Sequence, residues 1–197
     1  LADLLAPDFR LIILDRPGCG YSTRDHDRLA ILPEQAKMIQ SFLDILKIEQ
    51  PILCGHSLGG AIALAMALDA PDKIRGLALL APLTHPIEEA GVFKGLIVHS
   101  PFVRRVMAQT VAVPMAQRSA AEVLQQVFAP SPCPDDFPIQ AGAVLGLRPK
   151  SFITASADAT LGSGNIALQS ARYAPALKTP GAVLFGDQDT VLDPQTN

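Results

Sequence analysis

The run Pro51-Ile-Leu-Cys-Gly-His-Ser-Leu-Gly-Gly60, continuing into Ala61-Ile-Ala-Leu-Ala-Met-Ala-Leu68, reads as a strand, an abrupt turn and a helix. Residues 51–54 are a short apolar run of the kind buried in a parallel sheet. Residues 58–68 are apolar on every side until Asp69-Ala-Pro71 stops them, as in a helix buried in a core. Between them Gly55-His56-Ser57-Leu58-Gly59 has the G-x-S-x-G spacing of a nucleophile elbow, in the strand–turn–helix context that such a turn requires. A turn this tight puts Ser57 in a strained backbone conformation, and Gly55 and Gly59 are expected to remove the collisions that side chains would cause. Ser57 is then exposed at the C-terminal edge of the sheet. The free N–H groups at the helix start lie behind it, and the Leu58 N–H is placed as an oxyanion donor. A phosphate loop fits poorly, because the Gly-Lys-Ser/Thr ending and the G-x-G-x-x-G spacing are both missing.

The alternation extends in both directions. Arg10-Leu-Ile-Ile-Leu14 reads as a buried strand ended by Asp15-Arg-Pro-Gly18. A helix is predicted over residues 33–47, with Pro33 in its first turn and Ala36, Ile39, Leu43 and Leu46 on its packed face. Residues 76–80 and 181–185 are predicted as the third and fourth strands. Strands alternating with helices imply an α/β architecture, a mostly parallel sheet flanked by helices. The interval before the last strand far exceeds the roughly dozen residues that a crossover needs. The chain therefore divides into a core of residues 1–82 and 179–197 and an inserted, mainly helical segment, 83–178. In the insertion, Ser119-Ala-Ala-Glu122 reads as a capping box. Phe93, Leu96, Ile97, Phe102, Val103, Val106 and Met107 read as its core, and Arg104-Arg105 as a solvated face.

Composition narrows the function classes. With 197 residues, 49% hydrophobic, 18% charged and a net charge of −3, the chain has the makings of one folded domain with an insertion. No basic field exists to attract nucleic acid. No apolar run approaches the ~18–20 residues that cross a bilayer. Cys19, Cys54 and Cys133 are odd in number and widely spaced, suggesting neither disulfides nor a zinc site, and Cys54 reads as a small buried hydrophobe. His26, His56, His85 and His99 have no ligands at metal-binding spacing, so neither metal nor cofactor is implied. His56 is read as packed away from Ser57, and His85 as a residue that could overlook the pocket.

Three motifs together resemble the α/β-hydrolase fold family, serine hydrolases with a helical lid. They are Asp15-Arg-Pro-Gly-Cys-Gly-Tyr-Ser22, the elbow at 55–60, and Phe185-Gly-Asp-Gln-Asp189 running on to Pro194. The resemblance covers residues 1–82 and 180–197, while the intervening lid matches in length and character alone. It implies that Asp189 is the catalytic acid, with Asp187 as its rival and a turn cap. It also implies the chain order Ser…Asp…His. The chain has no histidine after His99 and opens beyond the loop that supplies the second oxyanion donor, so a fragment truncated at both ends, nearly inert alone, is expected.

The implied activity is cleavage of an ester or related acyl bond of a small, hydrophobic substrate through an acyl-enzyme at Ser57. The same fold also hosts C–C bond hydrolases, perhydrolases, aminopeptidases and non-catalytic ligand-binding members, and all stay open. Cysteine usage and the lack of a visible export signal point to the cytoplasm.

Overall fold

The computed structural model describes residues 2–87, 91–189 and 191–196. In chain order the elements are α1 (Ala2–Leu5), α2 (Leu32–Ile45), β1 (Ile52–Ser57), α3 (Leu58–Asp69) and β2 (Gly76–Pro82). There follow α4 (Pro101–Thr110), α5 (Ala112–Phe128), α6 (Phe137–Gln140), α7 (Pro149–Ala157), α8 (Ile166–Ser170), α9 (Tyr173–Ala176) and β3 (Gly181–Leu184). The sheet is wholly parallel in the order β1-β2-β3, with Leu53 beside Leu77 and Leu79 beside Val183.

The core sits where sheet and helices meet. Helix α3 is buried from Gly60 to Leu68, as its all-round apolar sequence demands, and packs on β1, β2 and α2. Leu32, Ala36 and Leu43 of α2 join Leu77 and Leu79 of β2 in the same cluster. Helix α2 ends in a left-handed Lys47 (φ 54), with Lys47 N–H bonded to the Asp44 carbonyl and Ile48 N–H to the Leu43 carbonyl. That is a Schellman close, made without the usual glycine. It comes two residues earlier than predicted and leaves Leu46 44% exposed, off the packed face.

Several expectations need correction. Residues 10–14 form no strand: nothing among the described residues pairs with them, and Ile13 is 79% exposed. An apolar run becomes a strand only when a neighbour accepts its ladder hydrogen bonds. Cys54 is exposed, because it shares with Ile52 and His56 the open face of β1, while Leu53 on the other face packs against the core. Ser119 lies inside α5, its hydroxyl bonded back to the Met115 carbonyl, so the apparent capping box caps nothing. The cap that does form is Ser100, whose Oγ accepts from Val103 N–H ahead of Pro101.

Arg104 departs furthest from the sequence reading: it is 1% exposed. Its guanidinium donates to Ser156 Oγ (3.0 Å), Asp27 Oδ2 (2.7 Å), the Val98 carbonyl (2.8 Å) and Thr160 Oγ1 (2.9 Å). A second buried network surrounds Asp158, which accepts from Arg16, Arg24 and Gln35. Arg148, Lys150 and Thr154 add bonds to the carbonyls of Gly20, Ser22 and Gly18. The loop carrying Asp15 and Arg16 is thus bolted to the α7 region. Gly20, at φ +49, leaves room for Asp15 to accept from Tyr21 N–H. Burial pushes the half-buried Cys19 thiol in this loop up from its ordinary pKa, against the pull of Arg16.

Removing Asp158 would strand two arginines, one of them Arg24 with its side chain only 3% exposed. Asp158→Ala is therefore expected to cost about 3–5 kcal/mol, the usual penalty for breaking one side of a buried ion pair. Urea unfolding of the variant beside wild type checks the figure.

Candidate active site

The turn between β1 and α3 carries the strain that its sequence implies. Ser57 has φ 51 and ψ −122, and it stands immediately before the first residue of α3. Such a conformation costs a non-glycine residue about 1–3 kcal/mol and persists only where the surroundings enforce it. Here a register shift between His56 and Ser57 enforces it, bringing Ser57 beside Pro82, with Leu83 N–H bonded to the Ser57 carbonyl at 3.0 Å. Ala81 across the step is also left-handed, at φ 38. No sequence signal marks Ala81, because alanine has no preference for that region.

The glycines divide differently from the sequence reading. A Cβ added to Gly55 would lie 2.6 Å from the Gly59 carbonyl oxygen, and one added to Gly60 would lie 2.6 Å from Pro82 Cβ. At Gly59 the space is open, so the crowding expected there falls on Gly60 instead. Gly55→Ala is expected to destabilise the protein by about 1–3 kcal/mol through overpacking against backbone. Gly59→Ala is expected to be neutral or mildly stabilising, since alanine is the better helix former. Thermal melts of the two variants side by side separate these outcomes.

Ser57 is partly exposed and opens into a cleft of about 440 Å³. Its floor is His56, Ser57 and Ala81, and one wall is Gly186, Asp187, Gln188, Asp189, Val191 and Leu192. The opposite wall comes from the helical segment: Phe93, Gln126 and Val127, then Ala129, Pro130 and Ser131. The cleft thus joins Ser57 and Asp189, far apart in sequence, on one side of the sheet. Leu58 is the first residue of α3, and the leading N–H groups of a helix have no intrahelical partner.

The loop after β3 holds Asp189 firmly. Its Oδ1 accepts from the N–H groups of Val191 and Leu192, both at 2.9 Å, while its own N–H reaches the Gly186 carbonyl at 3.3 Å. Among the described residues Oδ2 accepts no hydrogen bond. The turn-capping role read for Asp187 is therefore played by Asp189, and Asp187 is exposed. One oxygen thus anchors the loop.

The histidines sort themselves by position. His56 is exposed at the cleft floor rather than packed away. His85 lines a second cavity with Tyr173, Leu64 and Leu77, its ring edge-on to Tyr173 at 6.2 Å, and does not line the Ser57 cleft. Burial raises the Tyr173 pKa, and the hydrogen bond from Gln169 partly opposes that shift. His26 and His99 line neither cavity. No group of three potential metal ligands occurs among the described residues.

The parallel sheet, the strained serine between strand and helix, and the carboxylate delivered to the same cleft define an α/β protein of the hydrolase type. The chain belongs to the alpha/beta hydrolase fold family, whose pattern it matches over residues 1–197. Over 87 residues it is 40% identical to 2-hydroxymuconate semialdehyde hydrolase of Pseudomonas sp. strain CF600, a match covering 43% of this chain and 31% of that protein. Over 116 residues it is 32% identical to the "Probable lysophospholipase BODYGUARD 1" of Arabidopsis thaliana, covering 58% of this chain and 24% of that one. These matches span less than a third of either relative. Among solved structures, the enol-lactonase from Burkholderia xenovorans LB400 superposes with a TM-score of 0.67 at 22% identity, over 98% of this chain and 68% of that one. That likeness is one of fold.

Proposed function

We propose that the protein is a serine hydrolase that cleaves an ester or related acyl bond of a small, hydrophobic substrate. The observation that carries this reading is the placement of a backbone-strained Ser57 and an anchored Asp189 on one cleft. In the proposed scheme Ser57 Oγ attacks the substrate carbonyl and gives its proton to a histidine imidazole. Asp189 Oδ2 accepts the other N–H of that ring, setting its tautomer and stabilising its charged form. The order Ser…Asp…His places the histidine after Asp189. The Leu58 N–H holds the developing oxyanion, and water later cleaves the acyl-enzyme to release the acid. Residues 83–178 act as the lid, contributing Phe93 and Val127 to the apolar wall of the cleft.

Identity to a 2-hydroxymuconate semialdehyde hydrolase supports a second reading, hydrolysis of a C–C bond beside a carbonyl at the same serine. A fluorophosphonate probe tests what the two readings share. The full-length protein should be labelled once, with the adduct mapped by mass spectrometry to Ser57. Labelling elsewhere, or none, would overturn the assignment. An acyl-chain-length series of esters, run beside a ring-cleavage dienone, then separates the two.

A further inference from the structure

Helix α4 is built inside out. Its buried positions are Arg104 and Ala108, whereas Phe102 is 76% exposed and Val103 and Val106 are close to half exposed. The apolar surface continues through Val111, where α4 meets α5, to Met115, which is 59% exposed. Phe102 with Val106, and Val111 with Met115, are pairs four residues apart and so share a helix face. A surface helix ordinarily turns its apolar stripe inward. Here the inward side is taken by the Arg104 network, so the apolar side chains have only the outside to occupy. Contiguous exposure of this kind marks a surface built to meet something else.

The rim says what that is. Arg105 and Arg118, three residues on from Phe102 and Met115, are exposed beside the patch, and Arg118 has no ion-pair partner among the described residues. Arg105 reaches Asp27 only at 3.7 Å, with half its side chain in solvent. Glu122 is the one acidic residue between positions 91 and 134, in a chain whose net charge is −3. Apolar side chains flanked by cations complement an anionic interface with an apolar interior. No helix among the described residues is long and apolar enough to cross a membrane, so the contact is a surface one.

We propose that the α4–α5 face docks on an anionic phospholipid surface. Phe102, Val106 and Met115 enter the boundary between headgroups and acyl chains, and Arg105 and Arg118 meet the phosphates. The far end of α5 carries Gln126 and Val127 into the cleft lining, so patch and cleft share one helix. Docking goes beyond the proposed chemistry and does not depend on it.

The test is co-sedimentation of the purified protein with phosphatidylcholine vesicles and with vesicles in which phosphatidylglycerol replaces part of the phosphatidylcholine. Binding is expected to the anionic vesicles and to weaken with salt. Each cation near such a surface strengthens partitioning roughly fivefold, so Arg105→Gln with Arg118→Gln should lower it about 25-fold. Phe102→Ser with Val106→Ser should lower it by at least about tenfold. Ser57→Ala should bind as wild type does, which separates this proposal from the catalytic one. The chain has no tryptophan, so Phe102→Trp supplies a single reporter, and its emission should shift to the blue on anionic vesicles. Absence of binding at low salt, or binding that these variants leave unchanged, would overturn the proposal. So would variants that only convert an oligomer to a monomer, because the face would then belong to a second copy of the chain.

Discussion

In the full-length protein, Ser57→Ala is expected to lower turnover of an activated ester by about 10⁵–10⁶-fold, with the fold intact. Alanine keeps the Cβ and the same backbone demand at φ 51, so neither strain nor packing changes. What disappears is the attacking oxygen. An effect of this size corresponds to roughly 7–8 kcal/mol of transition-state stabilisation, far above anything that a lost contact could cause. The remaining activity over water would come from the Leu58 N–H and from substrate binding in the cleft. Circular dichroism of the variant, measured beside its kinetics, separates loss of chemistry from loss of structure. A variant that retained even a hundredth of wild-type turnover would rule out Ser57 as the nucleophile.

Asp189→Asn is expected to cost about 10⁴-fold in kcat, the scale seen when the residue orienting a catalytic imidazole loses its charge. The asparagine carbonyl can still accept from Val191 and Leu192, so the loop should keep its shape. Its NH₂ then replaces Oδ2 in the cleft and presents donors where the imidazole N–H needs an acceptor. The ring is held in the wrong tautomer, and its charged form loses a counter-ion. Asp187→Asn is the matched control. Asp187 is exposed and should give a change within the range of ordinary surface substitutions. Reversal of the two effects would make Asp187 the acid.

The elbow and the acid loop were legible because both are local. A strand, a glycine-flanked serine and an all-apolar helix impose their geometry within a few residues, so β1, Ser57 and α3 lie where the sequence puts them. The Gly-Asp-Gln-Asp segment after β3 was legible as a tight loop for the same reason, although the backbone-capping bonds read for Asp187 are made by Asp189. The misreadings are all matters of partners. Residues 10–14 have strand composition but no described neighbour to pair with, and Cys54 is apolar enough to bury yet points to the open face of β1. The crowding read at Gly59 falls on Gly60 because a motif marks where glycine occurs, whereas the atoms that Gly60 must avoid belong to Pro82, on another strand.

By itself, the sequence determined the alternating α/β order, the serine at a strained strand-to-helix bend and the carboxylate that follows the last strand. Each follows from backbone sterics and hydrophobic period over a short window. Only the tertiary structure decided that Arg104 is buried while Phe102 faces outward, and that Gln126 and Val127 of a distant helix close the Ser57 cleft. A guanidinium can be buried when Asp27, Ser156, Thr160 and the Val98 carbonyl converge on it. That convergence brings Asp27 of the core to Val98, Ser156 and Thr160 of the insertion, and no window of sequence contains it.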